Sequence, residues 1–361
     1  MNVTDLKIGM DFRKKEYRRE VFLRFYDFHL KHKSHPGAVY YAIPYLVKKF
    51  NLDFEQALWL CYINGCTQNI VTTWRIFNEF SNFSSINEQQ LLKWHNEKWR
   101  TLDYDIDRRY QKGHLVEMYN DYKSKVGNGS QQSFFETIMD KGGTDKKFDN
   151  LFKYVYDNFF MYGRLSTFSY LEYLKIIGVD ITCSNLFLSD LEGSKSHRNG
   201  LCIVLGLDHA DWNKNNEQAK AFHKDPSNVE MLKKEGEILL KEAQTRNASA
   251  DYFTLESTLC CYKSWHRPDR RYPNVYNDMF YERIVKAEKK GIDCNVFRQM
   301  RKDCLPDYML CEVNKDMMSI EKVKQNWYRT TGEVIMLDYE DKTFTNTFIK
   351  KTKEQNLFNY E

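Results

Sequence analysis

Proline is scarce in this chain, with 6 in 361 residues, and alternating runs of β-branched residues are few. Long segments of helical period are therefore little interrupted, and the expected fold class is mainly α: a large helical globular domain of about a dozen helices. The 9 cysteines include no CxxC pair, and neither Cys61 with Cys66 nor the adjacent Cys260 and Cys261 has a spacing suited to zinc. Their odd number, with no signal peptide at the start, predicts reduced thiols in a cytoplasm rather than a disulfide framework. No apolar run approaches the length of a membrane span, so a soluble protein is expected.

The readily recognised catalytic signatures are also missing. There is no Gly-rich dinucleotide loop, P-loop lysine, HExxH, GxSxG elbow or HxE…PCxxC deaminase pattern. Acidic residues are plentiful, but no spacing selects a catalytic pair or demands a metal.

Aromatic residues, by contrast, make up 15% of the chain, with 24 Tyr and 24 Phe. Many rings must be buried, and a surplus suits stacking on flat ligands. The 54 basic and 50 acidic residues leave a net charge of only +4, yet residues 1–50 and 257–302 each carry 11 Lys/Arg against 5 Asp/Glu. Two basic segments in an otherwise acidic chain fit an anion-binding surface for nucleic acid, or equally two solvated helix faces that never meet.

The stretch from Phe28 to Phe77 combines core and site character. A basic helix end (Lys31, His32, Lys33) runs into Ser34, His35, Pro36 and Gly37, which should break the helix and expose N–H groups. Tyr40 and Tyr41 follow. Asp53 and Gln56 have capping-box spacing, and Leu58, Trp59, Tyr62 and Ile63 mark a helix expected to stop near Gly65. Thr67, Gln68 and Asn69 then offer three uncharged hydrogen-bonding side chains, suited to reading an amide or base edge, before an apolar helix from Ile70 to Phe80.

Further helices are predicted over Asn87–Asn96, Asp103–Tyr122, Ser133–Met139, Asp145–Tyr162, Thr167–Ile177, Asn228–Asn247, Tyr252–Lys263, Asn274–Lys290 and Asn295–Lys302. Gly127, Asn128 and Gly129 mark a junction between an N-terminal region 1–125, holding the HPG and TQN motifs, and a second region 131–310. Residues 311–361 form a C-terminal extension in which Glu333–Thr345 has the pattern of a small β-hairpin.

Within the second region, a polar loop leads into a short apolar helix, Leu201–Leu205. Ser194, Lys195, Ser196, His197, Arg198 and Asn199 collect at its entrance, where a helix N-terminus favours an anion, although a capped surface turn would look the same. Glu256 sits among apolar neighbours and should either face a cation, such as Arg271, or have a raised pKa. The segment KSWHRPDRRY, from Lys263 to Tyr272, interleaves cations with rings in a manner suited to a phosphate backbone.

Taken together, FHLKHKSHPGAVYY, NGCTQN, GSKSHRNGLCIVLG and LESTLCCYKSW followed by RRY resemble the helical amino acid:DNA transferases of bacterial viruses, also called α-glutamyl/putrescinyl thymine pyrophosphorylases, over about residues 20 to 290. The resemblance implies a step in thymine hypermodification, acting in the cytoplasm of the infected host. On double-stranded DNA carrying diphosphorylated 5-hydroxymethyluracil, the diphosphate is replaced by the amine of glycine, glutamate or putrescine. Such an enzyme needs donors for the departing diphosphate, a base that keeps the amine neutral, and a pocket for a flipped base.

Ser194, Lys195, His197, Arg198 and Asn199, with Lys263, Arg270 and Arg271, are the candidates for the diphosphate. Thr67, Gln68 and Asn69 would read the uracil edge, with Tyr40, Tyr41 or Trp74 stacking on it, although rings at helical spacing usually pack in a core. His35, Glu256 and Asp208 compete as the base; His35 titrates in the useful range if exposed, and has a structural alternative in capping the break at Pro36. No cofactor is expected, and a divalent ion such as Mg would serve only to neutralise the diphosphate. The rival readings are a DNA glycosylase-like base-flipping enzyme, for which IIGVD at 176–180 is a poor docking hairpin, and a non-enzymatic helical DNA-binding protein.

Overall fold

The computed structural model describes residues 15–35, 38–141, 146–190, 194–212, 217–262, 275–305 and 310. Among these are fifteen α-helices, several short 3-10 turns and no strand, so the fold is mainly α as the sequence predicts. The expected hairpin at Glu333–Thr345 lies outside the described residues, as do Pro36 and Gly37 of the HPG break. The chain groups into two compact units: residues 1–36, 185–282 and 301–361 form the first, and 37–184 with 283–300 the second.

In the first unit, α1 (Lys15–His32) carries Val21, Phe22, Phe25, Tyr26 and Leu30 on its buried side. They join a core with Leu201 and Val204 of α10 (Lys195–Val204), Leu232 and Leu239 of α12 (Pro226–Arg246), and Leu255, Leu259 and Tyr262 of α13 (Tyr252–Tyr262). Short α11 (Glu217–Lys224) precedes α12, whose start is fixed by Asp225 capping and Pro226 at the first turn. Arg19 bridges Glu235 and Glu242 of α12, and Arg246 reaches back to Glu20 at 2.6 Å.

The second unit is built on α3 (Phe54–Thr67), buried on every side from Ala57 to Thr67. Its capping box forms as expected, with Gln56 N donating to Asp53 Oδ1 at 2.8 Å and Asp53 N to Gln56 Oε1 at 3.1 Å. Around it lie α2 (Val39–Lys49), α4 (Ile70–Glu79), α5 (Glu88–Lys98), α6 (Leu115–Val126), α7 (Gln131–Met139), α8 (Lys147–Asn158) and α9 (Arg164–Ile176). Here the aromatic surplus becomes core. Tyr62 stacks on Tyr122 at 3.9 Å, with Trp59, Phe159, Tyr162 and Tyr170 around them, and the hydroxyls of Tyr62 and Tyr122 donate to Met118 O and Gln131 Oε1.

α14 (Val275–Glu288) and α15 (Asn295–Cys304) contribute residues to both units. The described cysteines are free thiols, and no helix among the described residues is long and apolar enough to cross a membrane.

Two helix boundaries differ from expectation for one reason. Gly65 does not end α3: a Cβ there would stand 2.4 Å from the Tyr162 hydroxyl, so the glycine serves close packing inside the helix. Gly200 likewise lies within α10, which starts at Lys195 rather than Leu201. Between Asp103 and Tyr122 the predicted helix is a 3-10 segment, Ile106–His114, followed by α6.

Candidate functional site

α10 and α13 pack so closely that a Cβ on Gly200 would lie 2.1 Å from the carbonyl oxygen of Leu259. This contact puts His197 beside Glu256, with Nδ1 3.0 Å from Oε1 and both side chains buried. The other ring nitrogen, Nε2, faces the Leu186 carbonyl at 2.8 Å and must carry a proton, because a carbonyl only accepts. Attraction across the Nδ1–Oε1 contact therefore requires one proton shared by imidazole and carboxylate, as His⁺ with Glu⁻ or as neutral His with GluH. Glu256 therefore faces a histidine among the described residues, and Arg271, the cation suggested from the sequence, lies outside them.

One residue on, Arg198 is fully buried. Its Nη1 donates to the His223 carbonyl at 3.1 Å, while Nε and Nη2 have no hydrogen-bond partner. Those two N–H groups form one edge of the guanidinium and point in parallel, the geometry that takes two oxygens of an oxyanion. Burial pulls this guanidinium below its ordinary value, yet an arginine stays cationic at neutral pH. Ser194, one helical turn earlier, has a buried hydroxyl without a partner.

His223, at the end of α11, completes the group. Its Nε2 donates to the Ala210 carbonyl at 2.7 Å, so Nδ1 carries a bare lone pair, and that atom too is buried and unpartnered. Burial, reinforced by the nearby Arg198 charge, pushes the imidazole below its ordinary value despite the bond to Ala210. Trp212 packs against the His223 ring at 4.4 Å and carries the Lys195 ammonium 5.1 Å from its own ring. Asn199 fixes this corner by accepting from Trp212 N at 2.8 Å and donating to Asp211 Oδ1 at 3.2 Å.

In the second unit the TQN segment is a helix–helix corner. The Thr67 hydroxyl meets that of Thr73 at 2.7 Å, Gln68 adopts a left-handed conformation (φ 49°), and Asn69 Oδ1 caps α4 by accepting from Val71 N and Thr72 N. Asn69 therefore has only its amide nitrogen to offer, whereas Gln68 is half-buried. Tyr41 is buried, and Trp74 packs between Phe50 and Phe77. Tyr40 is half-buried and donates to Glu172 at 2.8 Å. The same unit pairs Arg283 with Asp105 at 2.6 Å, and Lys286 and Lys290 with Asp103.

Comparison with known proteins identifies the family. The family model described as amino acid:DNA transferase matches residues 39–271, more than half of the chain. The chain belongs to that family. A serinyltransferase of Salmonella phage ViI is similar to it at 23% identity over 336 residues, covering 85% of this chain and 78% of the phage protein. No solved structure matches. The chain is thus a DNA-modifying transferase whose substrates are DNA and an amino acid.

The site residues proposed for this transferase from its sequence divide between the units. His35, Ser194, Lys195, His197, Arg198, Asn199, Asp208 and Glu256 fall in the first; Tyr40, Tyr41, Thr67, Gln68, Asn69 and Trp74 fall in the second. Lys263, Arg270 and Arg271 lie outside the described residues. Asp208 is engaged by Arg18 at 2.5 Å and Lys15 at 3.9 Å. Much of the basic excess is similarly tied to carboxylates, as Arg18, Arg19, Arg283, Lys286 and Lys290 illustrate. Among the described residues no three His, Cys, Asp or Glu side chains gather as a metal site.

His35 is 1% exposed, and burial pushes its imidazole down to about 3, against a smaller opposing pull from Asp251. It is neutral throughout the physiological range, and a base so weak has no acidic limb to give near neutrality. The unfolded chain takes up a proton at His35 near its ordinary value, whereas the native state does so only near 3. Stability from this residue is therefore complete above about pH 6.5 and falls by about 1.4 kcal/mol per pH unit on acidification toward 3. Urea unfolding at pH 4.5 and 6.0 is expected to show this loss in the wild type and a shallower slope in His35→Asn. The acidic limb of the pH–rate profile is expected to survive in His35→Gln.

Two residues of the buried groups had no reading from sequence. His223 stands alone in AFHKD, which carries no motif. Glu172 did leave a signal, since it interrupts an apolar helix in the way Glu256 does.

Proposed function

We propose that this transferase replaces the diphosphate of 5-(diphosphooxymethyl)uracil in DNA with the amine of an amino acid, in the cytoplasm of an infected bacterium. The amine lone pair forms a C–N bond at the 5-methylene, the C–O bond breaks, and its electron pair departs with the diphosphate. The observation that carries the reading is membership of a family that joins an amino acid to DNA, and the buried Arg198 edge supports it by leaving two parallel charge-assisted donors unused by the protein for one of the two anions that such a reaction must bind.

Lys195, beside Trp212, is assigned to the leaving diphosphate, and Lys263, Arg270 and Arg271 are retained for the same charge from the sequence alone. The uracil edge is assigned to Gln68 and the amide nitrogen of Asn69, with Tyr40, the half-buried ring of the three candidates, stacking on it. The His197–Glu256 pair is assigned to holding α10 in register with α13 rather than to proton transfer, since both side chains are buried against each other. Serine is the first amine to test, after the phage relative's activity. DNA carrying the diphosphorylated base is incubated with the protein and serine, glycine, glutamate or putrescine, then digested and its nucleosides weighed. A new nucleoside with the mass of an amino acid adduct is expected; unmodified or merely hydrolysed base with every amine would overturn the proposal.

A further inference from the structure

Given that reaction, two different anions must be bound, the diphosphate on DNA and the carboxylate of the amino acid. We infer that Arg198, His223 and Ser194 form the amino acid subsite, with the guanidinium edge clamping the α-carboxylate and His223 Nδ1 receiving the α-amine. This inference rests on the proposed reaction and departs from the diphosphate role that the sequence suggested for Arg198.

Charge is the first argument. Within α10 and α13 the buried His197 faces Glu256, and Arg198 adds a fully buried positive charge that feels Asp190 among its neighbours but pairs with no carboxylate among the described residues. One carboxylate neutralises it. A diphosphate, with several negative charges and a tether to DNA, would leave an uncompensated excess in a place from which water is excluded.

Shape is the second. Nε–H and Nη2–H offer two parallel donors in one plane, matched by the two oxygens of a planar carboxylate. The remaining donor, Nη1, is held by the backbone carbonyl of the same residue whose ring supplies Nδ1, so the clamp and the acceptor are tied to each other through residue 223.

The third is the sign of the hydrogen-bonding groups. A site built only for an anion would present donors. Here the bond from Nε2 to Ala210 leaves Nδ1 as an acceptor next to a cation, an arrangement that suits a ligand bearing both an oxyanion and an N–H group. An α-amino acid is such a ligand. Once its carboxylate offsets the Arg198 charge that adds to burial in depressing the His223 imidazole, transfer of one proton from its ammonium to Nδ1 leaves a neutral amine and an imidazolium, and the freed lone pair is the nucleophile of the proposed reaction.

Calorimetry on the full chain tests the subsite, with L-serine, glycine, L-glutamate, ethanolamine and inorganic diphosphate as probes. At least one amino acid is expected to bind, ethanolamine at least about thirtyfold more weakly than serine if serine is that ligand, and Arg198→Gln to lose amino acid binding by a similar factor. His223→Gln is expected to weaken it by about tenfold. Circular dichroism of each variant, and partial retention of binding in Arg198→Lys, separate a lost contact from a lost fold. In the adduct assay Arg198→Lys should raise KM for the amino acid and leave KM for DNA unchanged. Adduct formation in which Arg198→Lys raises KM for the DNA alone, or loss of diphosphate binding with amino acid binding intact in Arg198→Gln, overturns the subsite while leaving the proposed reaction standing. Absence of any adduct with wild-type protein counts against the reaction itself.

Discussion

Arg198→Met is expected to cut kcat/KM severely and, at the same time, to make the free protein more stable. Truncating one partner of a buried charge-assisted pair costs about 2–5 kcal/mol, so kcat/KM should fall by roughly thirtyfold to a few thousandfold. The opposite sign for stability follows from the unbound state. The guanidinium is buried with Nε and Nη2 unpartnered, and each unsatisfied buried donor costs about 1–3 kcal/mol. Methionine fills a similar volume without that penalty and loses the bond from Nη1 to the His223 carbonyl and the weaker pull of Asp190. Chemical denaturation should therefore give a higher midpoint for Arg198→Met than for wild type, by about 1–3 kcal/mol. A structural arginine would behave in the reverse way, destabilising the fold when removed and reducing activity only in proportion.

The second large effect is expected at Gly200, where alanine should destabilise the fold by about 3 kcal/mol or more. The obstacle is backbone. A Cβ would fall 2.1 Å from Leu259 O and 2.8 Å from Leu259 C, atoms that cannot rotate away. α13 would have to retreat, taking Glu256 from His197 and leaving a buried carboxylate without its partner. Urea unfolding measures the loss, and Gly65→Ala is the comparison. There the blocking atom belongs to a side chain, the Tyr162 hydroxyl at 2.4 Å, and a smaller loss is expected. Equal losses at the two positions would mean that the contact between α10 and α13 is looser than described.

How much of this was legible in the sequence depended on the range of the forces involved. The helices were, because apolar period and caps such as Asp53 with Gln56 are local, and so was the mainly α class. Gly65 was expected near the end of its helix and Gly200 in the loop before the next, but both lie within helices because their purpose is a neighbour distant in the chain, Leu259 for Gly200 and Tyr162 for Gly65. Arg198 stood out as a cation near a helix start, but its burial, on which the choice between diphosphate and carboxylate turns, is a property of packing. His35 shows the converse: its place beside a helix break left a base, if exposed, and a structural cap equally open, and packing makes it a neutral, buried ring. Thr67 and Asn69 were recognised as hydrogen-bonding groups without any indication that the corner between α3 and α4 uses most of that capacity itself. His223 became visible only through its tautomer, set by Ala210.

The displacement of diphosphate by an amine is tested most directly by following both products of one reaction. With DNA carrying the diphosphorylated base and excess serine, phosphorus NMR of the released anion and mass spectrometry of the digested nucleosides are read at the same time points. One diphosphate released for each amino acid adduct formed, with neither product in the absence of protein, is the predicted result. Adducts accumulating without released diphosphate, or diphosphate released while the base gains only water, would contradict it.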